Sequence, residues 1–204
     1  MSNTLNKTNT LLLIVALLPA CTTSPPKNID NICSIFREKD DWYDYSKDSF
    51  EKWGVPIHVQ MAIINQESRF VADALPPRPY LLGFIPWFRS SSAYGYPQAQ
   101  DGTWEWYLDD TGRWIATRDD FADATDFVGW YCSVSNKKLG ISKWDAKNQY
   151  LAYHEGHTGF HRKSYLQKRW LLSTSEKVAR KANTYRTQLE TCREEMESSG
   201  WFFW

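Results

Sequence analysis

Three of the four histidines stand close together in the stretch Tyr-His-Glu-Gly-His-Thr-Gly-Phe-His, residues 153–161. Histidine and glutamate are common zinc ligands, but the zinc-protease pattern needs two histidines four residues apart on a helix. Here His154 and His157 are three apart. We therefore expect no metal site, although a metalloprotease stays an alternative, as do surface positions without a role for His157 and His161.

Two glycines interrupt the same stretch. Gly156 and Gly159 disfavour the continuous helix that would align the histidines on one face. The sequence therefore predicts a helix over residues 150–155 that stops at Gly156 and continues as a glycine loop. Such a loop would let the backbone approach a ligand closely, with Tyr153 and His154 facing a cleft.

A second chemical candidate is Glu67, near the end of an apolar segment that begins at Pro56. Apolar neighbours such as Ile63 and Phe70 would disfavour its charged form and raise its pKa. A carboxyl that is protonated near neutral pH can donate a proton to a glycosidic oxygen. The competing interpretation is a surface glutamate paired with Arg69.

A glycoside hydrolase with two carboxylates would need a second acid about 5 to 9.5 Å from the first. The candidates nearest in sequence are Asp73, Asp101 and Glu105. Each is more typical of a loop or of a helix start. No motif marks a second catalytic acid.

The elements that would position these groups are mostly helical. A helix is predicted over residues 56–67, and helical composition recurs at 119–139, 145–154 and 175–197. Residues 74–90 hold four prolines and a glycine among large apolar groups, which predicts an ordered loop or short strands.

Three short motifs occur in one order along the chain. They are Glu-Ser-Arg-Phe at 67–70, Ser-Ser-Ala-Tyr-Gly-Tyr-Pro-Gln at 91–98, and Ala-Tyr-His-Glu-Gly at 152–156, with a second glycine at 159. In type and order these motifs resemble those of the soluble lytic transglycosylases of the lysozyme superfamily, which cleave the glycan strands of peptidoglycan. The resemblance spans about residues 50–160.

The resemblance implies a scheme with one acid. Glu67 would protonate the oxygen that leaves N-acetylmuramic acid, and would then take the proton of the C6 hydroxyl as a 1,6-anhydro ring closes. This scheme needs no water, no cofactor and no metal. The alternatives are a muramidase-type hydrolase that uses water and a lipoprotein that binds peptidoglycan without cleaving it.

The resemblance also implies which residues bind substrate, namely Ser92, Tyr94, Gly95, Gln98, Tyr153 and His154. Ser92 and Gln98 would hold the acetamido group and the carboxyl, and the alternative for both is a role in turns alone. The candidates for stacking on sugar rings are Trp87, Tyr94, Trp104 and Trp106, and a core position is the alternative for each of them.

The chain departs from the family pattern in three places. The Leu-Met pair of the second motif is replaced by Tyr96-Pro97, and the Asn-Ala pair of the third by His154-Glu155. The spacing between the first two motifs is also longer than usual, and the excess lies in residues 74–90. That loop is expected to build one wall of the glycan groove.

The fold expected from these features is mainly α, of the α+β lysozyme-like kind, with a helical lobe, a substrate cleft and a small irregular or β-containing wall. The predicted organisation is a signal peptide at 1–20, a lipidated cysteine and tether at 21–30, one domain at 31–197 and an aromatic tail at 198–204. A chain of 204 residues suits one such domain.

The leader is predicted from the apolar run Leu-Leu-Leu-Ile-Val-Ala-Leu-Leu at residues 11–18, which is too short to span a bilayer. The following Leu-Pro-Ala-Cys resembles a bacterial lipoprotein signal, in which Cys21 becomes the lipidated first residue. Thr22 in place of aspartate then implies sorting to the outer membrane, on its periplasmic side. A soluble periplasmic protein is the alternative.

Three cysteines remain besides Cys21, in an oxidising compartment. Cys132 lies in an apolar helical stretch, where a buried thiol behaves as a small hydrophobic group. We therefore expect Cys33 to pair with Cys192, although sequence alone leaves the other pairings open.

The amino-acid composition indicates which class of molecule the protein binds. Lys plus Arg and Asp plus Glu number 24 each, so no excess of positive charge favours nucleic acid. Aromatic residues make up 16% of the chain, with eleven Trp and eleven Tyr. Aromatic rings can stack on sugars, which favours glycan strands of peptidoglycan as the partner.

Overall fold

The computed structural model describes residues 24–78, 80–81, 85–86 and 91–199. The predicted leader at 1–20, the lipidation site Cys21, the stacking candidate Trp87 and the last five residues of the aromatic tail lie outside these residues.

The described residues form a mainly α structure, which confirms the predicted fold class. The helices are α1 (Ile32–Glu38), α2 (Asp41–Trp53), α3 (Ile57–Ser68), α4 (Asp101–Thr111), α5 (Phe121–Leu139), α6 (Ala146–His161) and α7 (Arg169–Ser199), with a 3-10 helix at Ser164–Gln167. Two antiparallel strands, β1 (Tyr80–Leu81) and β2 (Ile85–Pro86), pair Tyr80 with Pro86 and Leu81 with Ile85. They lie within the proline-rich segment for which a loop or short strands were predicted.

Helix α5 forms the centre of the core. Its side chains are buried on nearly every face from Phe121 to Ser135, and it packs against α2, α3, α4 and α6. The Asp120 carboxylate caps its first turn by accepting a hydrogen bond from the Asp123 amide, and Gly140 ends it in a left-handed conformation. A helix that is buried on all its faces must be surrounded by other elements, as α5 is.

Asp126 of α5 ties α2 and α4 to this core. Its buried carboxylate accepts hydrogen bonds from Lys52 Nζ at 2.9 Å, Trp53 Nε1 at 2.9 Å and Tyr107 Oη at 2.6 Å. A buried carboxylate is tolerated only when it is paired and hydrogen-bonded. The network therefore fixes where α4 lies relative to α5.

The last helix, α7, links the first part of the chain to the rest of the fold. It packs against α1, α3 and α6, and a disulfide joins Cys33 of α1 to Cys192 of α7, with their Cα atoms 6.1 Å apart. This is the predicted pair, and Cys132 is a free, buried thiol.

The start of α7 differs from the prediction, because the helix begins at Arg169 and not at residue 175. Thr174 and Ser175 are weak helix formers that hid this start. In the structure their hydroxyls donate to the carbonyls of Trp170 and Leu172, inside the helix.

The predicted stop at Gly156 is half right. Gly156 has φ 71° and ψ 161° and breaks the helical path, but the chain then resumes a helix as far as His161, so the predicted glycine loop is wrong. A hydrogen bond from the Ser164 hydroxyl to the Gly159 carbonyl holds the resumed helix against the 3-10 helix. Tertiary contacts thus outweigh the low helix propensity of Gly159.

Within the described part of the chain, no helix has the length and apolar character needed to cross a membrane.

Candidate active site

Glu67 lies in the last turn of α3, a helix whose residues from Ile57 to Ile64 are all buried. The next two residues after the helix, Arg69 and Phe70, both have positive φ, at 53° and 64°. Phe70 is fully buried, which holds the chain in this uncommon conformation. The Glu67 carboxyl is therefore attached to a rigid part of the core.

A cavity of about 430 Å³ opens beside this carboxyl. Among the described residues, those that line it are Glu67, Ser91, Ala93, Gln98, Ala99, Gln100, Thr103, Phe127, Tyr131, Tyr153, His154, Glu155 and Gly156. The residues come from all three sequence motifs and from α4 and α5. A concave site of this size, with aromatic walls and a few polar groups, is typical of a ligand-binding pocket.

The surroundings of Glu67 favour its protonated form. Desolvation raises the pKa of this carboxyl to about 7, and a hydrogen bond from the Tyr150 side chain offsets part of the rise. Near neutral pH a large fraction of Glu67 is therefore protonated. A cavity-lining carboxyl in this state is suited to general acid–base chemistry.

Tyr150, which holds the carboxyl, was missed in the sequence. It lies on α6 one turn before Tyr153, and it is buried. The only signal was helical periodicity, because residues three apart on a helix lie on the same side.

Aromatic rings line the cavity next to Glu67. The Tyr153 and Tyr131 ring centroids are 5.1 Å apart, and Phe127 lies 6.2 Å from each of them. The Tyr153 hydroxyl donates to the Pro97 carbonyl at 2.7 Å, so it also joins α6 to the turn of the second motif. These rings provide the apolar surroundings that raise the pKa of Glu67.

Another part of the wall is a tight turn over residues 94–99, in which Tyr94 and Ala99 form an isolated antiparallel bridge. Gly95 has φ 76°, and a Cβ there would overlap the carbonyl oxygen of Arg118. The Gln98 amide nitrogen donates to the carbonyls of Ala74 at 2.8 Å and Gly95 at 2.9 Å. Gln98 is thereby held rigidly at the cavity wall.

Three of the predicted substrate-binding residues do not line the cavity. Ser92 is exposed, and its hydroxyl accepts from the Asp101 amide at the start of α4. The Tyr94 hydroxyl donates to Asp119, and Gly95 is buried in its turn. Gln98, Tyr153 and His154 do line it, and Ser91 and Ala93 stand where Ser92 and Tyr94 were expected.

Glu155 is a second carboxylate in the cavity wall, and the sequence marked it only as a departure from the family pattern, not as a second acid. Its side chain is 3% exposed. Oε1 accepts from Lys168 Nζ at 2.6 Å and lies 3.3 Å from His154 Nδ1, while Oε2 accepts from the Ser164 hydroxyl. Burial raises its pKa, but these hydrogen bonds outweigh burial and the net pKa is lowered.

The carboxylates proposed from sequence proximity lie elsewhere. Asp73, Asp101 and Glu105 are not in the cavity wall, and Asp101 forms an ion pair with Arg118 at 2.9 Å. Glu155 is far from Glu67 in sequence, so only the fold brings the two carboxyls to one cavity.

Two of the four aromatic candidates for stacking pack in the core or against it. Trp104 is buried and packs against Tyr107 and Phe127, and Trp106 packs edge-on against Trp130, 4.6 Å between centroids. Neither lines the cavity.

The three histidines that are clustered in the sequence lie in three different environments. His154 faces the cavity, whereas His157 lies behind the wall, stacked on Tyr131 at 4.5 Å with Nε2 2.9 Å from the Ser135 hydroxyl. Desolvation lowers the pKa of His157 to about 4, with a smaller contribution from Lys138, so its ring is neutral. His161 is exposed. In the portion described, no three His, Cys, Asp or Glu side chains are grouped to hold a metal ion.

The family of transglycosylase SLT domains matches residues 9–192, which is most of the chain. The protein therefore belongs to this family, and its fold is a lysozyme-like SLT domain. Membership suggests lytic transglycosylase activity on peptidoglycan. Searches of curated proteins and of solved structures gave no significant match.

Proposed function

We propose that the protein is a peptidoglycan lytic transglycosylase that cleaves the β-1,4 bond between N-acetylmuramic acid and N-acetylglucosamine and forms a 1,6-anhydro product. The observation that carries this proposal is the Glu67 carboxyl in the cavity wall with its pKa raised to about 7. A group that must first donate and then accept a proton works best when its pKa is near the working pH.

Glu67 serves in both steps of the proposed reaction. Its proton goes to the glycosidic oxygen as the bond from C1 of N-acetylmuramic acid breaks, and the N-acetyl group of the same sugar stabilises the positive charge at C1. The Glu67 carboxylate then removes the proton from the C6 hydroxyl, whose oxygen bonds to C1. The acid is regenerated and no water is consumed.

The walls have separate roles in this scheme. Tyr150 orients the carboxyl through its hydrogen bond. The Gln98 amide nitrogen is occupied by two carbonyls, so its amide oxygen is the atom offered to an acetamido N–H of the substrate. Tyr153, Tyr131 and Phe127 reduce the water around the reacting atoms, which favours ring closure over hydrolysis.

Glu155 supports a second candidate, a muramidase-type hydrolase with two carboxylates, because it lines the same cavity. Both of its oxygens are engaged by Lys168, Ser164 and His154, which leaves it poorly placed to activate water. We therefore favour the single-acid scheme. A lipoprotein that binds peptidoglycan without turnover is the remaining alternative.

We also propose that the protein acts in the periplasm, anchored to the outer membrane through a lipid on Cys21. The supports are the apolar run before Cys21 and the disulfide between Cys33 and Cys192, which suits an oxidising compartment. Metabolic labelling with a lipid precursor, compared between the full chain and Cys21→Ser, tests the anchor. Loss of label in the variant is expected.

The experiment that tests the activity is mass spectrometry of purified peptidoglycan after digestion by the chain lacking residues 1–21. Anhydromuramyl fragments, one water lighter than hydrolysed ones, are expected from this protein and none from Glu67→Gln. Glu105→Gln is the matched control, because Glu105 is exposed and outside the cavity wall. Hydrated products would establish the hydrolase, and binding of sacculi without products would establish the binding protein.

A further inference from the structure

An exposed tryptophan stands beside the cavity. Trp170, the second residue of α7, is 57% exposed. Its ring lies edge-on to the His154 ring, 5.1 Å between centroids, and His154 lines the cavity. The indole therefore continues the cavity wall outward through one intervening side chain.

The rim at this point is rigid. Lys168, two residues before Trp170, is bonded to the buried Glu155 carboxylate, and the Ser164 hydroxyl donates to the same carboxylate. Glu155 Oε1 also lies 3.3 Å from His154 Nδ1. One buried group thus holds both the histidine and the start of α7, which keeps Trp170 at the cavity mouth.

The cavity is too small to hold the whole substrate. A volume of about 430 Å³ suits a ligand of drug-like size, whereas a glycan strand is a polymer. A strand that places its scissile bond at Glu67 must therefore run over the rim. An exposed indole offers a broad apolar face with a negative quadrupole, which attracts the C–H face of a sugar ring.

We propose that Trp170 and His154 form a further carbohydrate subsite outside the cavity, in which a sugar of the bound strand stacks on Trp170. His154, held at Nδ1 by Glu155, presents Nε2 to a hydroxyl or amide of that sugar. This subsite rests on the proposed function, because its ligand is the same glycan strand that reaches Glu67. Glu155 acts in it as a positioning residue.

The test measures binding in the Glu67→Gln background, so that no strand is cut. The ligands are long, peptide-free glycan strands and the isolated disaccharide repeat, and the variants are Trp170→Ala and Trp144→Ala. Trp144 is a matched control: it is 60% exposed and also contacts a histidine, His58 at 5.5 Å, but His58 does not line this cavity, whereas His154 does.

Trp170→Ala is expected to weaken binding of long strands about three- to tenfold and to leave the disaccharide unchanged. Trp170→Phe should recover part of the loss, and Trp144→Ala should match the Glu67→Gln parent. An unchanged affinity for long strands, an equal loss for both ligands, or no strand binding at all overturns the subsite.

Failure of the activity can be told apart from failure of the subsite. The activity fails if the protein with Glu67 intact yields no anhydro product. The subsite fails if anhydro products form while Trp170→Ala leaves strand binding and the KM for long strands unchanged.

Discussion

The Tyr150 side chain donates a hydrogen bond to the Glu67 carboxyl, and so links α6 to the last turn of α3 at the edge of the cavity. This bond stabilises the ionised carboxyl, whereas desolvation disfavours it. The balance between the two leaves the pKa of Glu67 at about 7 and not higher.

Replacing Tyr150 should change the pKa of Glu67. In Tyr150→Phe the carboxylate loses a donor, so its pKa rises above about 7 and the alkaline limb of kcat/KM shifts to higher pH. The value of kcat should fall, because the carboxyl is less well oriented. The pH profile checks this. The control is Tyr185→Phe, which removes a hydrogen bond between another buried tyrosine and the Ile29 carbonyl, and an identical shift there would contradict the prediction.

The unmodified protein should lose activity as pH rises through 7. Glu67 must be protonated for the first step, and its protonated fraction falls as pH passes its pKa of about 7. We expect kcat/KM to decrease about tenfold per pH unit well above this value. A profile that stays flat from pH 6 to 9 would show that Glu67 is not the acid.

Glu67→Gln should stabilise the fold at alkaline pH. The folded-state pKa of about 7 lies above the ordinary value of 4.5, so folding favours the protonated form. The stability linked to this group is complete below pH 4.5 and is lost as pH rises through 7. The loss is at most about 3 kcal/mol, and less to the extent that the cavity admits water.

The amide side chain in Glu67→Gln has no such penalty, so the melting temperature of this variant should exceed that of the parent at pH 8.5 and match it at pH 4.5. Thermal unfolding at both values, with Glu105→Gln beside it, is the measurement. A variant that is less stable at pH 8.5 would refute this account of the desolvated carboxyl.

The variant Glu155→Gln tests whether the second carboxylate stabilises the fold or takes part in the reaction. The variant loses the ion pair with Lys168, so stability should fall by about 1–3 kcal/mol. Anhydro products should still form, because Glu67 is intact. Glu176→Gln, which removes the exposed pair with Lys147, should cost under about 1 kcal/mol. Complete loss of activity in folded Glu155→Gln would instead favour the two-carboxylate hydrolase.

Replacement of glycine by alanine is expected to have opposite effects on stability at two positions. Gly95→Ala places a Cβ against the Arg118 carbonyl oxygen at a positive φ, and should cost about 2 kcal/mol or more. Gly102→Ala in α4 meets nothing within 4 Å and should be neutral or stabilise by up to about 1 kcal/mol. Denaturant unfolding of both variants checks the pair, and equal effects would contradict the close packing at Gly95.

The double variant Cys33→Ser, Cys192→Ser tests the link between α1 and α7. The disulfide closes a loop of 159 residues, so its loss should cost about 4–5 kcal/mol on the chain-entropy model. Reducing agent should lower the melting temperature of the parent and leave that of the variant unchanged. Equal sensitivity of both proteins would mean that the bond is not formed.

Local sequence pattern alone predicted several elements of this fold and part of its site. The apolar segment ending at Glu67, the helix over residues 119–139 and the non-helical proline-rich segment follow from periodicity and from proline chemistry, which act over a few neighbouring residues. The three motifs indicated the family, and Gln98, Tyr153 and His154 were found in this way.

Only the tertiary structure decided how the cavity is completed. Tyr150 and Trp170 lie outside the three motifs, and each matters because a helix contact brings it to Glu67 or to His154. Glu155 lies inside the third motif, but only the fold brings its carboxylate to the same cavity as Glu67 and to Lys168 and Ser164. The pKa of Glu67 likewise depends on rings contributed by α5 and α6, and Gly159 stays helical because Ser164 packs against it. Short-range propensity is weak compared with burial and hydrogen bonding between distant segments, so these features appear only once the chain is folded.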